Sequence, residues 1–211
     1  MNQFAAVAGA HFLALLSPGP DFFLIAHTSM TDGWRRAIAA CAGIAAANAV
    51  FIATAFAGLS ILRPGGIAFT TVQIAGAAFL LQLGVGLLRS AGAASIEPAP
   101  ARGTARTAGS RWKLAAMGFA SAALNPKNAL FYAGLAAVLT VGASTGHLVA
   151  YGMWMFAVVL GWDVLVSVLI GNRVVLTRFA RALPMLERAS GVALIGLGLG
   201  ILLTTAFHSD V

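Results

Sequence analysis

Hydrophobic residues are grouped in long runs that short polar segments separate. Three runs contain no Asp, Glu, Lys or Arg: 37–62, 64–88 and 189–207. Three others contain one such residue each: 4–30, 114–139 and 148–172. A transmembrane α-helix needs roughly 20 predominantly apolar residues, and all six runs are of that order. The pattern therefore predicts an all-α, polytopic membrane protein with six transmembrane helices.

The composition agrees with residence in lipid, since 60% of the 211 residues are hydrophobic and 9% are charged. That is more apolar surface than one soluble core of this length uses. No Lys or Arg precedes the first run, and its apolar stretch is too long for a secretory signal, so we expect it to remain in the mature protein. The single cysteine, Cys41, allows no intrachain disulfide and no dithiol redox pair, and we expect it to be a packing residue.

The basic residues are sorted among the loops. The excess of 13 Lys and Arg over 6 Asp and Glu would by itself suit a nucleic-acid partner. However, eleven of the thirteen lie in the loops after the first, third and fifth runs: Arg35, Arg36, Arg89, Arg102, Arg106, Arg111, Lys113, Arg173, Arg178, Arg181 and Arg188. Only Arg63 is on the other side, and Lys127 is inside a run. The positive-inside rule therefore predicts cytoplasmic positions for these loops, external termini and no nucleic-acid partner.

Segment 91–113 divides the single transmembrane domain (1–211) into two halves of three spans, 4–90 and 114–207. Its Ala, Gly, Ser, Pro and Arg content is typical of a linker at the cytoplasmic surface. The halves share two features in the same order, a first span interrupted by proline and a third span that ends in the pattern Leu-Gly-x-Gly-Leu/Ile-Leu. An odd number of spans in each half predicts two inverted three-helix repeats.

Small residues at four-residue spacing indicate faces on which helix backbones approach closely. Such faces are expected on the second span at Ala39, Gly43 and Ala47, and on the sixth span at Gly196 and Gly200.

Proline interrupts the first and fourth spans near their midpoints, in Ser17-Pro18-Gly19-Pro20-Asp21 and in Asn125-Pro126-Lys127-Asn128. A proline inside a helix removes a hydrogen bond and clashes with the preceding turn, which costs about 3 kcal/mol. At membrane depth the freed backbone groups are tolerated only where they are buried in protein or line a watery cavity. Helices 1 and 4 are therefore predicted to be broken at proline. A packing kink would explain either break alone, whereas broken spans at matching positions of two repeats indicate a transporter's substrate site.

Three charged side chains lie inside the predicted spans: Asp21, Lys127 and Asp163. A charge at the centre of the hydrocarbon costs roughly 2.5–3.5 kcal/mol, so each must face the bundle interior and find a partner. Together they suit an amino-acid zwitterion, with Lys127 and the amides at the broken helix ends near its carboxylate, and Asp21 or Asp163 near its ammonium group. Either Asp is also a candidate proton carrier. The structural alternative is a Lys127–Asp ion pair that only joins helices.

Two uncharged polar residues complete the set of interest. Asn48, in the middle of the second span, either belongs to the site or hydrogen-bonds between helices, and both interpretations stay open. His11, about two turns before the first break, is expected to form an interhelical hydrogen bond. The candidate substrate-binding or coupling residues are Ser17, Pro18, Gly19, Pro20, Asp21, Asn48, Asn125, Pro126, Lys127, Asn128 and Asp163.

Distinctive motifs are spread over nearly the whole chain: Leu16-Ser17-Pro18-Gly19-Pro20-Asp21-Phe22, Gly33-Trp34-Arg35 with Gly43, Gly76-Ala77-Ala78-Phe79-Leu80-Leu81 with Leu83-Gly84 and Leu87-Leu88-Arg89, and Asn125-Pro126-Lys127-Asn128. Together they resemble the LysE/RhtB superfamily of amino-acid exporters. Many members carry Asn where this chain has Asp21 and Tyr where it has Phe79, and Asp21 leaves the charge preference for the substrate open.

The resemblance implies a secondary transporter of the bacterial inner membrane, not an enzyme. It implies export of amino acids or derivatives, such as homoserine, homoserine lactone, threonine, leucine or basic amino acids, by proton antiport. The expected partners are an amino-acid-like substrate, protons and membrane lipid; no cofactor or metal is expected, and homo-oligomer formation is left open.

Two other functions stay open at this point. A passive channel for small polar solutes would also need a polar midplane. An intramembrane aspartyl protease would need Asp21 and Asp163 to face each other, but the Gly-x-Gly-Asp setting of one protease aspartate is missing. A receptor or scaffold is a third alternative that we do not expect, because loops 63–66 and 141–147 are too short to form extracellular domains.

Overall fold

A computed structural model of the chain describes residues 2–16, 19–61, 66–92, 110–138, 144–170 and 173–208. Ser17, Pro18 and most of the predicted linker, 93–109, lie outside these residues. The described part forms eight α-helices: α1 (Asn2–Leu16), α2 (Pro20–Thr31), α3 (Trp34–Ile61), α4 (Ile67–Ser90), α5 (Arg111–Ala123), α6 (Pro126–Val138), α7 (Thr145–Ile170) and α8 (Arg173–His208).

The outward faces of these helices are apolar. Phe23, Met153 and Val192, for example, are each more than half exposed. An apolar surface of this kind is stable in lipid, where every backbone group must also be satisfied within its own helix. The prediction of an all-α, polytopic membrane protein is confirmed.

Four helical segments are long and apolar enough to cross a membrane: Trp34–Gly58, Ile67–Ser90, Thr145–Ile170 and Ala180–Ala206. Helices α1 and α2 together form a fifth candidate span, bent by 53°. Helices α5 and α6 have 13 residues each, or about 20 Å of helix, which is less than the roughly 30 Å of the hydrocarbon core. The predicted span 114–139 thus consists of two half-length helices, and its crossing of the membrane stays a prediction.

Both predicted breaks are present, and at each one a proline is the first residue of the following helix. Helix α2 begins at Pro20, after Gly19 in an extended conformation (φ −134°, ψ −172°), and α6 begins at Pro126. The first helical position needs no N–H donor, and the fixed φ of proline suits it. These prolines therefore start a new helix instead of bending a continuous one.

Two helix ends differ from the predicted boundaries. Helix α5 begins at Arg111, so the last residues of the predicted linker are helical. Helix α8 begins at Arg173, well before the run 189–207, and continues through Pro184.

Helices α3 and α5 pack closely at two glycines. A methyl group at Gly43 would overlap the backbone carbonyl of Ala115, and one at Gly118 would overlap the backbone carbonyl of Ala40. The close approach predicted at Gly43 is confirmed. This contact fixes α3 beside the first half of the second broken span.

Helices α4 and α8 also meet at glycines, but not at those the spacing predicted. A Cβ added to Gly84 would lie 2.7 Å from the Gly191 carbonyl oxygen, and one added to Gly198 would lie 2.9 Å from the Ala77 carbonyl oxygen. At Gly196 and Gly200 an added Cβ would meet no described atom within 4 Å. The prediction for these two positions is wrong, because they are exposed on the outer face of α8.

Two clusters of buried side chains fill the bundle. The first joins α1, α4, α6, α7 and α8 through Val7, Leu80, Leu135, Met155 and Leu194. The second joins α2, α3, α5 and α7 through Ile25, Ile44, Ala122, Val159 and Val166. Residues from both clusters line a single cavity at the two helix breaks, so the fold places these breaks between its two apolar cores.

Candidate functional site

A cavity of about 60 Å³ lies where the two broken spans face each other. Seven of the predicted site residues line it: Gly19, Asp21, Asn48, Asn125, Lys127, Asn128 and Asp163. Pro20 does not, because it is exposed and faces a shallow groove beside Leu24 and Met117. Pro126 is the first residue of α6. The structure thus brings together residues from four separate segments of the chain.

Asp21 is held by side chains from the opposite broken span. Its Oδ1 accepts a hydrogen bond from Ser121 Oγ at 2.6 Å, and its Oδ2 accepts one from Asn128 Nδ2 at 2.9 Å. Asp21 also lies in the first turn of α2, where the helix dipole and the unpaired backbone N–H groups favour a negative charge. Both carboxylate oxygens of Asp21 therefore have protein donors.

Asn125 and Lys127 organise the start of α6. Asn125 is 5% exposed, and its Oδ1 accepts a hydrogen bond from the Lys127 backbone N–H at 3.0 Å, which is the usual contact of an N-cap side chain. Lys127 Nζ reaches across the cavity and donates to the Ala14 carbonyl oxygen at 3.3 Å. That carbonyl is one of the last four of α1, which have no partner within their own helix. The lysine thus satisfies the end of the first half-helix.

Asp163 lies inside α7 and is only 7% exposed. Its Oδ2 is buried and accepts no hydrogen bond from any described residue. Asn48, on the neighbouring α3, donates from Nδ2 to the Ile44 carbonyl oxygen of its own helix at 2.9 Å and lines the same cavity. Asp163 and Asn48 thus add polar side chains from α7 and α3 to the lining of the cavity.

His11 and Tyr132 join α1 to α6. His11 Nε2 lies 3.2 Å from Tyr132 Oη, and the His11 ring also packs edge-on against Trp154. Both residues line the cavity, and His11 has no exposed surface. The interhelical hydrogen bond predicted for His11 is confirmed.

Sequence reasoning missed Ser121 and Tyr132 as parts of this polar network. Ser121 is one turn before Asn125 on α5, and Tyr132 is five residues after Lys127 on α6. Their hydroxyl groups, each near a helix break, are the signal that could have indicated them. Among the described residues no cluster of three or more His, Cys, Asp or Glu has the arrangement of a metal site.

Comparison with known families gives this geometry a context. The profile of the LysE type translocator family matches residues 12–205, which include both breaks and all the cavity-lining helices except the first turns of α1. The chain belongs to this family. Members of the LysE family are transporters, so the intramembrane protease considered above is excluded and the chain is not an enzyme.

Two threonine efflux proteins are similar to this LysE-family chain over almost its whole length. The threonine efflux protein of Escherichia coli K12 is 28% identical over 206 residues, covering 95% of this chain and 98% of the relative. The threonine efflux protein of Salmonella typhimurium is 26% identical over 207 residues, or 97% and 99% of the two chains. A leucine efflux protein of Klebsiella pneumoniae is 33% identical over 85 residues, 40% of each chain. No solved structure matches significantly.

Proposed function

We propose that this LysE-family protein exports a neutral amino acid or a close derivative across the inner membrane in exchange for protons, with threonine as the first substrate to test. The observation that carries the proposal is the cavity at the two helix breaks, which holds Lys127, Asp21 and Asp163 together. The near full-length similarity to threonine efflux proteins supports the substrate class.

The start of α6 suits the carboxylate of an amino acid. Lys127 is the second residue of α6, where the positive end of the helix dipole disfavours a cation unless an anion is close. The N–H groups of the first turn already have partners: that of Lys127 donates to Asn125 Oδ1, and those of the two residues that follow it donate to the Asn125 carbonyl oxygen. A substrate carboxylate beside Lys127 Nζ would supply that anion, and Asp21 or Asp163 would face the substrate's ammonium group across the cavity.

The size of the cavity supports a transporter over an open channel. About 60 Å³ is far below the roughly 300 Å³ of a small ligand-binding site, so helices must move apart to admit a substrate. When the two repeats rock against each other, this movement exposes the site to only one side of the membrane at once. A passive pore would instead need a continuous polar path.

The loop charges give the direction in which the chain is inserted. The connection between α2 and α3 is followed by Arg35 and Arg36, and the start of α8 contains Arg173, Arg178 and Arg181. Because cytoplasmic loops are enriched in Lys and Arg, we place these connections in the cytoplasm and both termini outside. Helices α2 and α5, which adjoin basic connections, are then the cytoplasmic halves of the two broken spans.

The function is tested in cells and in vesicles. Expression in Escherichia coli should raise the concentration of threonine, homoserine or a toxic analogue that the cells tolerate. In proteoliposomes, an imposed proton gradient should drive labelled threonine against its concentration gradient. Flux that only follows the concentration gradient would favour the channel, and no flux of any tested amino acid would contradict the proposal.

Lys127→Gln tests the assigned site. It removes a charged donor, whose hydrogen bonds are worth about 1.5–3 kcal/mol, so the apparent affinity for threonine should fall about 10- to 100-fold. Lys113→Gln is the matched control, since Lys113 is exposed at the start of α5. Concentration-dependent uptake should be unchanged in the control, and equal affinities for both variants would remove Lys127 from the binding site.

A further inference from the structure

We infer that Asp163 is the carboxylate that binds, in turn, the coupling proton and the ammonium group of the exported amino acid, whereas Asp21 has a positioning role. The inference rests on the proposed function and assigns different roles to its two carboxylates. Three observations carry it: the hydrogen-bond partners of Asp21, the surroundings of Asp163, and the composition of the cavity that both line.

Asp21 needs no ligand to satisfy its charge. Ser121 and Asn128 each donate to one of its oxygens, and the first turn of α2 adds the favourable end of a helix dipole. Charge-assisted hydrogen bonds of this kind are about twice as strong as neutral ones. A substrate ammonium group or a proton at Asp21 would have to compete with these donors, so its main effect is to hold α2 against α5 and α6.

Asp163 has the opposite surroundings. It lies in the middle of α7, away from the unpaired N–H groups of a helix end, and no described residue donates to its buried Oδ2. Burying an ionised carboxylate without a donor or a counter-ion costs several kcal/mol. An ionised Asp163 therefore requires a cation within contact distance, and without one the carboxyl group retains its proton.

Asp163 binds only one of the two cations, the proton or the substrate ammonium group, at a time. The cavity also contains His11 from α1, Asp21 from α2, and Lys127 and Tyr132 from α6, and Cys41 of α3 lies close by. Lys127 is engaged with the Ala14 carbonyl group. A protonated carboxyl group is neutral and gives an ammonium group no counter-charge, so Asp163 binds either the proton or the ammonium group, and binding of one displaces the other.

This exchange couples the two fluxes with a balanced step. An amino acid that enters from the cytoplasm places its –NH3⁺ group at Asp163, and the displaced proton leaves to the cytoplasmic solution. After the cavity opens to the outside, the ammonium group leaves and an external proton takes its place. Asp163 is never left ionised and unpaired, so a site without either cation does not change sides and leakage is suppressed.

Infrared spectroscopy of the purified protein in lipid tests the protonated state without any amino acid. The carbonyl band of a protonated carboxylic acid should be present in the wild-type protein and in Asp21→Asn, and absent from Asp163→Asn. A wild-type spectrum without this band, or an unchanged band in Asp163→Asn, would overturn the inference. The Asp-to-Asn changes preserve side-chain volume, and Asp163→Glu provides a second variant that keeps the acid if Asp163→Asn fails to fold.

Coupling is tested with L-threonine as the probe. Threonine binding in weakly buffered solution should release one proton per bound molecule from the wild-type protein and from Asp21→Asn, as linkage between the two ligands requires. Asp163→Asn should lose gradient-driven accumulation, and Asp163→Glu should retain it with a displaced pH profile.

Gradient-driven accumulation in Asp163→Asn, or threonine binding to the wild-type protein without proton release, would contradict the shared site while leaving amino-acid export intact. If the wild-type protein neither binds nor transports threonine or any other amino acid, the proposed function fails and the ammonium part of the inference fails with it. The infrared result still decides whether Asp163 holds a proton, so the two failures are distinguishable.

Discussion

At the scale of single residues, two charged side chains stabilise the unpaired backbone groups at the break between α1 and α2. The last carbonyl groups of α1 and the first N–H groups of α2 have no helical partners. Lys127 donates to the Ala14 carbonyl group on one side of the break, and Asp21 occupies the first turn of α2 on the other. Each charge therefore stabilises the helix end whose dipole has the opposite sign. The same contacts therefore offset both the free-energy cost of burying these charges and that of breaking the helix.

Ser121 is the residue whose removal isolates one of these contacts. Ser121→Ala deletes the donor to Asp21 Oδ1, and a hydrogen bond to a charged group contributes about 1.5–3 kcal/mol. We expect a lower melting temperature of the purified protein in detergent and weaker threonine binding. Ser90→Ala is the matched control, because within the described part of the chain the Ser90 hydroxyl donates to the Leu87 carbonyl oxygen of its own helix, α4. Identical melting of the two variants would show that Asp21 does not depend on Ser121.

The sequence allowed prediction of the charged members of the site but not of their partners. Asp21, Lys127 and Asp163 were identifiable because a charge within an apolar run has few stable positions other than a shared interior. Ser121 was not, since a serine hydroxyl can bond to its own helix backbone and then needs no partner elsewhere. Its contact with Asp21 joins residues 100 positions apart, and such a pairing depends on how whole helices pack.

At the scale of elements, the packing of α3 against α5 determines where the first half of the second predicted span lies. Helix α5 has 13 residues and ends at Ala123, so its own hydrogen bonds cannot hold it firmly. At Gly43 and Gly118 the backbones of α3 and α5 approach each other more closely than larger side chains would allow. This packing positions Ser121 and Asn125 at the edge of the cavity.

Gly118→Ala tests that packing. The added methyl group has no room against the Ala40 carbonyl group, and overpacking a closely packed site costs about 1–3 kcal/mol. The variant should melt at a lower temperature and transport threonine more slowly. Gly161→Ala on α7 is the control, because an added Cβ there meets no described atom within 4 Å. A Gly118→Ala protein as stable and active as the control would mean that α3 and α5 are further apart than described.

The positions of α3, α4 and α7 were predictable to within a few residues, whereas the start of α8 and its contact face were not. Apolar runs located α3, α4 and α7 because lipid requires uninterrupted apolar helices. The contact face of α8 was predicted wrongly. This helix contains Gly191, Gly196, Gly198 and Gly200, and they do not all lie on the same face. Spacing indicates which glycines share a face, but only the neighbouring helix determines which face is buried. Here Gly191 and Gly198 are packed against α4 and Gly200 is exposed.

At the scale of the whole molecule, the two halves treat corresponding glycines alike. Gly84 and Gly198 are 114 positions apart, and both are packed in the α4–α8 contact. Gly86 and Gly200 have the same separation, and an added Cβ at either would meet no described atom within 4 Å. This correspondence, together with a proline-initiated helix in each half, supports our proposal of two inverted repeats, 4–90 and 114–207, with the cavity between them.

Inverted repeats make a prediction about topology, because halves of three spans require opposite orientations and place the two chain termini on one side of the membrane. The basic loops select that side as external. Alkaline phosphatase, which is active only outside the cytoplasm, should therefore be active when fused after Val211 and inactive when fused after Gly92 or within the loop before Arg173. A green fluorescent protein fused at the same positions should show the reverse pattern. Phosphatase activity at all these positions, or at none, would contradict an odd number of spans in each half. Activity after Gly92 and before Arg173 but not after Val211 would reverse the insertion and make α1 and α6 the cytoplasmic halves of the two broken spans.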